Sequence, residues 1–473
     1  MRAFRWAALW MRSGKAPRML PFGVMWIFPL GALGGTSAAV GSTSAIVGGA
    51  TAIVGATVAV GDGSAPIANG TVVFRDGRIV AAGADVTVPP GAAVVDAHGK
   101  WVAAGLMSGF TELGIGSYSR LPEIVDASAP GSAFSAAIDV SEALDPADAS
   151  IQVDRAAGIT RAVVSPAASK SIFGGQGAVI DLSARSEIVT RTRAFQFVEL
   201  GQPADRLAGG SRPAAYAYFR EALAEASDYE HLYFHDAPAD ARGYQHAAAS
   251  RAGQQWPEVL TRADAAALGP VLEGQQPILV HVDRASDILH VLALKTSYPH
   301  VRLILLGARE GWRVAPQIAA SHVPVIAAVG DLPDTFDSLA ATESNVGRMT
   351  RAGVTVGLCT EGVYLEVYLR QLAASLVAIN KEPGATGLTW GEAFAAVTSR
   401  PAQAFGLDKE IGSLRPGRHA DVVIWDGDPL EAASGVVAVY IDGLPQPLDN
   451  HLTRLRERYR QPQPELLPKA YVH

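Results

Sequence analysis

A single cysteine, Cys359, stands among 473 residues. An intrachain disulfide framework and a multi-cysteine zinc site are therefore excluded within one chain. Cys359 follows the apolar run Val356-Gly357-Leu358 and reads as a buried small hydrophobe rather than a nucleophile. Basic charge is also short: 39 Lys and Arg against 46 Asp and Glu give a net charge of −7. That balance argues against a nucleic-acid partner, which needs a positive surface. No short repeat is visible, so a solenoid or adhesion array has no support. No apolar run reaches the ~20 residues that a bilayer-spanning helix requires. Charged residues make up 18% and hydrophobic residues 49%, which excludes disorder over most of the length.

The N-terminal residues carry a pattern of their own. Arg2, Arg5, Arg12, Lys15 and Arg18 precede the apolar stretch Met19 to Leu33, and small residues run from Gly34 to Ala39. This is the order of a secretory signal, assigned to residues 1–39, with an exported, periplasmic product expected. An uncleaved N-terminal membrane anchor is the alternative reading. Residues 40–55 are rich in Gly, Ala, Ser and Thr and read as a linker.

Short β segments follow from Ala56. Asp76-Gly77 separates Thr71-Val72-Val73-Phe74 from Ile79-Val80-Ala81-Ala82, a strong hairpin signal. Val94-Val95-Asp96 and Trp101-Val102 continue what reads as an antiparallel unit. After Gly105, apolar strand-like runs alternate with helical patterns. The runs are Ala162-Val163-Val164, Ile278-Leu279-Val280, Leu303 to Leu306, Val323 to Ile326 and Val354 to Leu358. Continuous apolar runs fit parallel strands buried on both faces. Residues 285–296, 312–320 and 216–227 have helical spacing, and residues 185–270 as a whole read as helical excursions between strands. β character returns at Asp421 to Trp425 and at Val437 to Ile441 before Asp442-Gly443. Residues 451–460 alternate charge at helical spacing and read as a surface helix. Periodicity alone does not choose between a barrel and a doubly wound sheet. The length allows one barrel of roughly 250 residues plus a smaller domain.

Two motif groups go further. The first is Gly61-Asp62-Gly63, Asp76-Gly77-Arg78-Ile79-Val80, Asp96-Ala97-His98-Gly99-Lys100 and Gly105-Leu106. The second is Gly412 to Asp421, then Trp425-Asp426-Gly427-Asp428-Pro429-Leu430, with Arg400-Pro401-Ala402 and Phe405-Gly406 before it. Over residues 55 to 460 the chain resembles the amidohydrolase superfamily, especially its imidazolonepropionase-like branch. The resemblance implies an α/β fold: a (β/α)8 TIM barrel at 105–407 with a small β-sandwich composed of 56–104 and 408–450. A C-terminal tail occupies 451–473.

The resemblance also implies a hydrolase with one or two divalent metals, zinc first, held by imidazoles and carboxylates at the C-terminal ends of barrel strands. The expected His-x-His after Gly105-Leu106 is absent: Phe110 and Glu112 occupy those positions. His281 falls at a strand end where the family places a metal-binding histidine. Glu361 stands where the family's proton-shuttling aspartate belongs. Catalytic candidates are thus His281 and Glu361, and metal candidates are His281, Glu112 and Glu361. A chain with no bound metal remains open. Glu310, after the next strand, reads as a solvated helix-start carboxylate. Phe110, Arg284 and Lys170 are candidate substrate contacts, Lys170 opening a Gly-rich turn through Gly177. Asp283 either orients His281 or begins the next helix.

Two functions compete. One is hydrolysis of carbon–nitrogen bonds in non-peptide or small peptide-like molecules with a reduced metal site. The other is a non-catalytic relative that binds a ligand or supports an active paralogue. The expected partner is a small molecule, with a homo-oligomer or a pairing with an intact paralogue as further expectations.

Overall fold

The computed structural model describes residues 49–116, 125–230, 259–329, 335–360 and 366–460. The stretch expected to be a secretory signal, most of the expected linker, the residues after 460 and Glu361 lie outside them. Among the described residues, no helix is long and apolar enough to cross a membrane.

One eight-stranded sheet is composed of both chain ends. β1 (Thr51–Ala59), β2 (Ile67–Arg75), β3 (Arg78–Gly83), β4 (Ala93–Asp96) and β5 (Trp101–Ala104) come from the N-terminal side. β14 (Val422–Trp425), β15 (Val436–Ile441) and β16 (Leu444–Pro445) come from the C-terminal side. β14 pairs antiparallel with β5, which stitches the two ends together. β1 begins at Thr51, inside the stretch whose composition reads as a linker. β1 to β3 form the expected antiparallel unit, but β4 and β5 both run parallel to β1. Gly55 makes this possible: it sits at a register shift with φ of +76°, where β1 changes partner from β4 to β5. Asp76 and Gly77 both have positive φ, as a type I′ hairpin turn demands, and Asp442 and Gly443 repeat the solution.

The second eight-stranded sheet is the barrel wall: β6 (Leu106–Thr111), β7 (Ile159–Val164), β8 (Phe173–Asp181), β9 (Val189–Glu199), β10 (Ile278–Val282), β11 (Leu303–Gly307), β12 (Val325–Ala328) and β13 (Val356–Cys359). β13 lies back against β6, so the sheet nearly closes. Inward side chains such as Met107, Val163, Phe195, Leu279, Ile304 and Ile326 form one apolar cluster. Their strand neighbours Leu106, Ala162, Val280, Leu305 and Val325 pack outward into the main core. Period-two alternation thus gives each strand an inner and an outer apolar face. Ala402, Phe405, Leu407 and Ile411 join the inner cluster, with Phe405 5.3 Å from Phe195 between ring centroids.

Two readings of the sequence are corrected here. Gly174-Gly175-Gln176-Gly177 is not a turn; it is the buried first half of β8. Its glycines are there because rings lie on the backbone: a Cβ at Gly177 would sit 2.0 Å from Phe195 Cζ. Residues 189–199, expected among helical excursions, form β9, with exposed Thr and Arg at its start and buried residues from Ala194 onward. β8 pairs antiparallel with both β7 and β9, so β7, β8 and β9 form a meander with no crossover helix. The other neighbouring pairs along the barrel sheet are parallel. Helices Arg212–Glu230, Ala285–Ser297, Ala315–Ala320 and His451–Arg460 fall where helical spacing places them.

Candidate functional site

The C-terminal ends of barrel strands hold the functional groups of this architecture. Along β9, Phe195 and Phe197 face inward, so Glu199 does too; along β10, Leu279 faces inward, so His281 does too. Register makes them neighbours, since His281 is paired with Glu199 across the parallel β9–β10 ladder. His281 Nδ1 lies 2.9 Å from both Glu199 Oε1 and Oε2. A carboxylate accepts, so His281 donates to Glu199 through Nδ1 and turns Nε2 to the other side of the ring. Glu199 Oε1 also accepts the Gly201 N–H at 2.7 Å, which fixes the carboxylate from its other side.

Asp283 Oδ2 lies 3.7 Å from His281 Nε2, beyond a direct hydrogen bond. Asp283 Oδ1 accepts the backbone N–H of Arg309 at 3.2 Å. Asp283 therefore ties the β10 and β11 loops together beside His281. Two glycines leave room for the pair. A Cβ at Gly201 would meet Glu199 Oε1 at 2.9 Å, and one at Gly307 would meet Asp283 Oδ1 at 2.5 Å.

The other expected site residues are placed as follows. Phe110 is half-buried and packs on Phe197, ring centroids 5.7 Å apart and planes tilted by 47°. Glu112 is half-buried just past the end of β6. Lys170 is exposed and donates to the Ser132 carbonyl at 2.8 Å. Arg284 is exposed at the N-terminus of the helix Ala285–Ser297. Cys359 is buried, its thiol 3.7 Å from the Ala327 carbonyl. Glu361 lies outside the described residues. Glu310 is a correction: it is 4% exposed rather than solvated. Its carboxylate accepts the N–H of Ala285 at 3.1 Å and of Ala340 at 2.9 Å. It caps the helix Ala285–Ser297 rather than its own segment.

A divalent ion needs several donors converging on one point. Among the described residues, no group of three or more His, Cys, Asp or Glu side chains does so. The chemistry of the positions agrees: Phe110 has no lone pair to offer, and Glu199 is already engaged by His281 and Gly201. The described residues do not by themselves complete a metal centre.

Glu199 escaped the sequence reading because β9 did. The signal was only partial: Phe195-Gln196-Phe197-Val198 is rich in β-prone residues and ends on the carboxylate of Glu199, but Val198 breaks the alternation.

Comparison with known proteins fits this architecture. The amidohydrolase family profile matches residues 281–445. The amidohydrolase tasK of Hapsidospora irregularis is 23% identical over 76% of this chain and 38% of its own length. The imidazolonepropionase of Maricaulis maris is 32% identical over 32% of this chain and 35% of its own. The match therefore spans little more than a third of either relative. The crystal structure of an amidohydrolase from Thermotoga maritima superposes with a TM-score of 0.71 at 21% identity, covering 84% of this chain and 99% of that one. Residues 281–445 are thus similar to the amidohydrolase family, and the superposition shows that the chain shares that fold.

Proposed function

We propose that this protein is a hydrolase acting on carbon–nitrogen bonds of small, non-peptide or peptide-like molecules, with a reduced metal site. One observation carries the reading: an inward-facing, carboxylate-held histidine at the C-terminal rim of an amidohydrolase barrel. Glu199 fixes the tautomer and plane of His281, which leaves Nε2 as a base. In this reading Nε2 takes a proton from water as the water oxygen bonds to the carbonyl carbon. The C–N bond then breaks and the proton passes from Nε2 to the leaving nitrogen, giving an acid and an amine. Amidohydrolases typically hold a divalent metal that activates water and polarises the carbonyl. Any such ion here would have to draw on Glu112 or Glu361 beside His281, the donors named from the sequence. The residue order of positions 1–39 supports action in the periplasm.

A second reading has its own observation. Phe110 fills a position where the family places a metal-binding imidazole, and its ring packs on Phe197. This favours a protein that binds a ligand or supports an active paralogue without turnover.

The test uses full-length protein purified with metal present, elemental analysis, and a panel of small amides. Hydrolysis that falls by about 10²-fold or more in His281→Ala, within the usual range for losing a general base, supports the first reading. Glu199→Gln should lose less and shift the pH profile. Turnover indifferent to His281→Ala would overturn the assignment of the base. Absence of both turnover and metal would support the second reading.

A further inference from the structure

Every residue of β6 is buried except Phe110, which is half-buried at the strand's C-terminal end. Its ring packs against Phe197 and the inner cluster of the barrel. Phe197, 4% exposed, lies two residues before Glu199 on the same inward face. Two residues along a strand span roughly 6–7 Å. An aromatic floor therefore lies about one ring's length below the Glu199–His281 pair. The two rings are tilted by 47°, an arrangement that a third ring extends by stacking or edge contact. The cationic candidates do not compete for this space: Lys170 is turned to the Ser132 carbonyl, and Arg284 is exposed at a helix start.

We infer that Phe110 and Phe197 form an apolar subsite that selects substrates bearing an aromatic ring next to the scissile carbon–nitrogen bond. This rests on the hydrolase reading for the location of the chemistry, but not for the binding itself. An aromatic carboxamide would lay its ring on the half-buried Phe110, which Phe197 backs from within the barrel, and bring its carbonyl to His281 Nε2. Small-molecule sites are commonly lined by apolar and aromatic side chains with a few convergent polar groups.

The experiment measures binding of benzamide and acetamide to the full chain by calorimetry, alongside hydrolysis of the same pair. The two probes share the amide and differ by phenyl for methyl. Benzamide should bind at least 10-fold more tightly. Phe110→Ala should reduce that advantage about 10-fold, while Phe110→Tyr, which keeps the ring, should retain it. Thermal melts of both variants verify folding. Equal binding of the two amides, or selectivity untouched by Phe110→Ala, overturns the inference. The two readings fail separately. Hydrolysis without preference for the aromatic amide leaves the hydrolase standing and removes the subsite. Ring-selective, Phe110-dependent binding without hydrolysis keeps the subsite and removes the hydrolase.

Discussion

Replacing Arg161 by methionine removes the charge that fixes the composite sheet to the barrel. Arg161 is on β7, its side chain 3% exposed. Its guanidinium donates to Asp421 through Nε at 2.8 Å and Nη2 at 3.0 Å, and to Asp442 Oδ1 at 2.6 Å. Asp181 lies 3.8 Å away and Arg185 completes the cluster by bonding both Asp181 and Asp442. Asp421 precedes β14 and Asp442 follows β15, so one side chain holds two strand ends of the terminal sheet against the wall. Breaking a buried pair from one side leaves an uncompensated charge and typically costs about 3–5 kcal/mol. Arg161→Met should lose that much at pH 7 in equilibrium urea unfolding, followed by tryptophan fluorescence and circular dichroism. Arg161→Met with Asp421→Asn should regain part of it, because one stranded carboxylate is gone. A loss below about 1 kcal/mol, the range of exposed pairs, would refute the reasoning, as would a double variant no better than the single. The acid limb gives a second check. Burial opposes ionisation of Asp442, but the His419 hydrogen bond and the Arg161 and Arg185 guanidinium groups outweigh it and hold its carboxyl well below its ordinary range. A depressed carboxylate contributes stability that is present above its unfolded value of 3.8 and lost as pH falls below it. That acid-side loss should shrink in Arg161→Met.

Asp154 and Glu366 titrate in the opposite sense. Burial pushes both carboxyls up, and for Asp154 the neighbouring Glu366 charge adds to it. With folded values raised, their contribution is full below the unfolded values near 4 and fades as pH rises through the folded ones. Asp154→Asn should therefore raise stability at pH 7 and flatten its fall towards alkaline pH in thermal melts; unchanged stability at pH 7 would contradict this. Gly307 has φ of +81°, and a Cβ there would meet Asp283 Oδ1 at 2.5 Å. Gly307→Ala should cost about 1–3 kcal/mol of strain and weaken ligand binding at the rim; a neutral variant would show that the β11 loop gives way freely. Glu310→Gln should cost about 1–2 kcal/mol by placing an amide N–H₂ against the N–H groups of Ala285 or Ala340, and urea unfolding measures it.

Much of the fold was legible because its signals are local. Asp76-Gly77 and Asp442-Gly443 demand left-handed turns, and Ile278 to Val280 and Leu303 to Leu306 are apolar enough for buried strands. β8 and β9 were not legible in the same way. The glycines of β8 look like a turn until the Phe195 and Phe197 rings are seen resting on them, and that contact joins neighbouring strands rather than neighbouring residues. Glu310 shows the same limit: next to Gly311 it reads as a surface carboxylate, and only the folded chain brings Ala285 and Ala340 to it.

The sequence by itself determined which positions lack a metal donor, since no fold can give Phe110 a lone pair. It also determined that His281 ends a strand, and that both chain termini contribute β segments. Only the tertiary structure decided that His281 answers to Glu199, a residue 82 positions away. Strand register in a barrel is set by the packing of whole faces, and a pairing across that distance leaves no trace in the spacing of either segment.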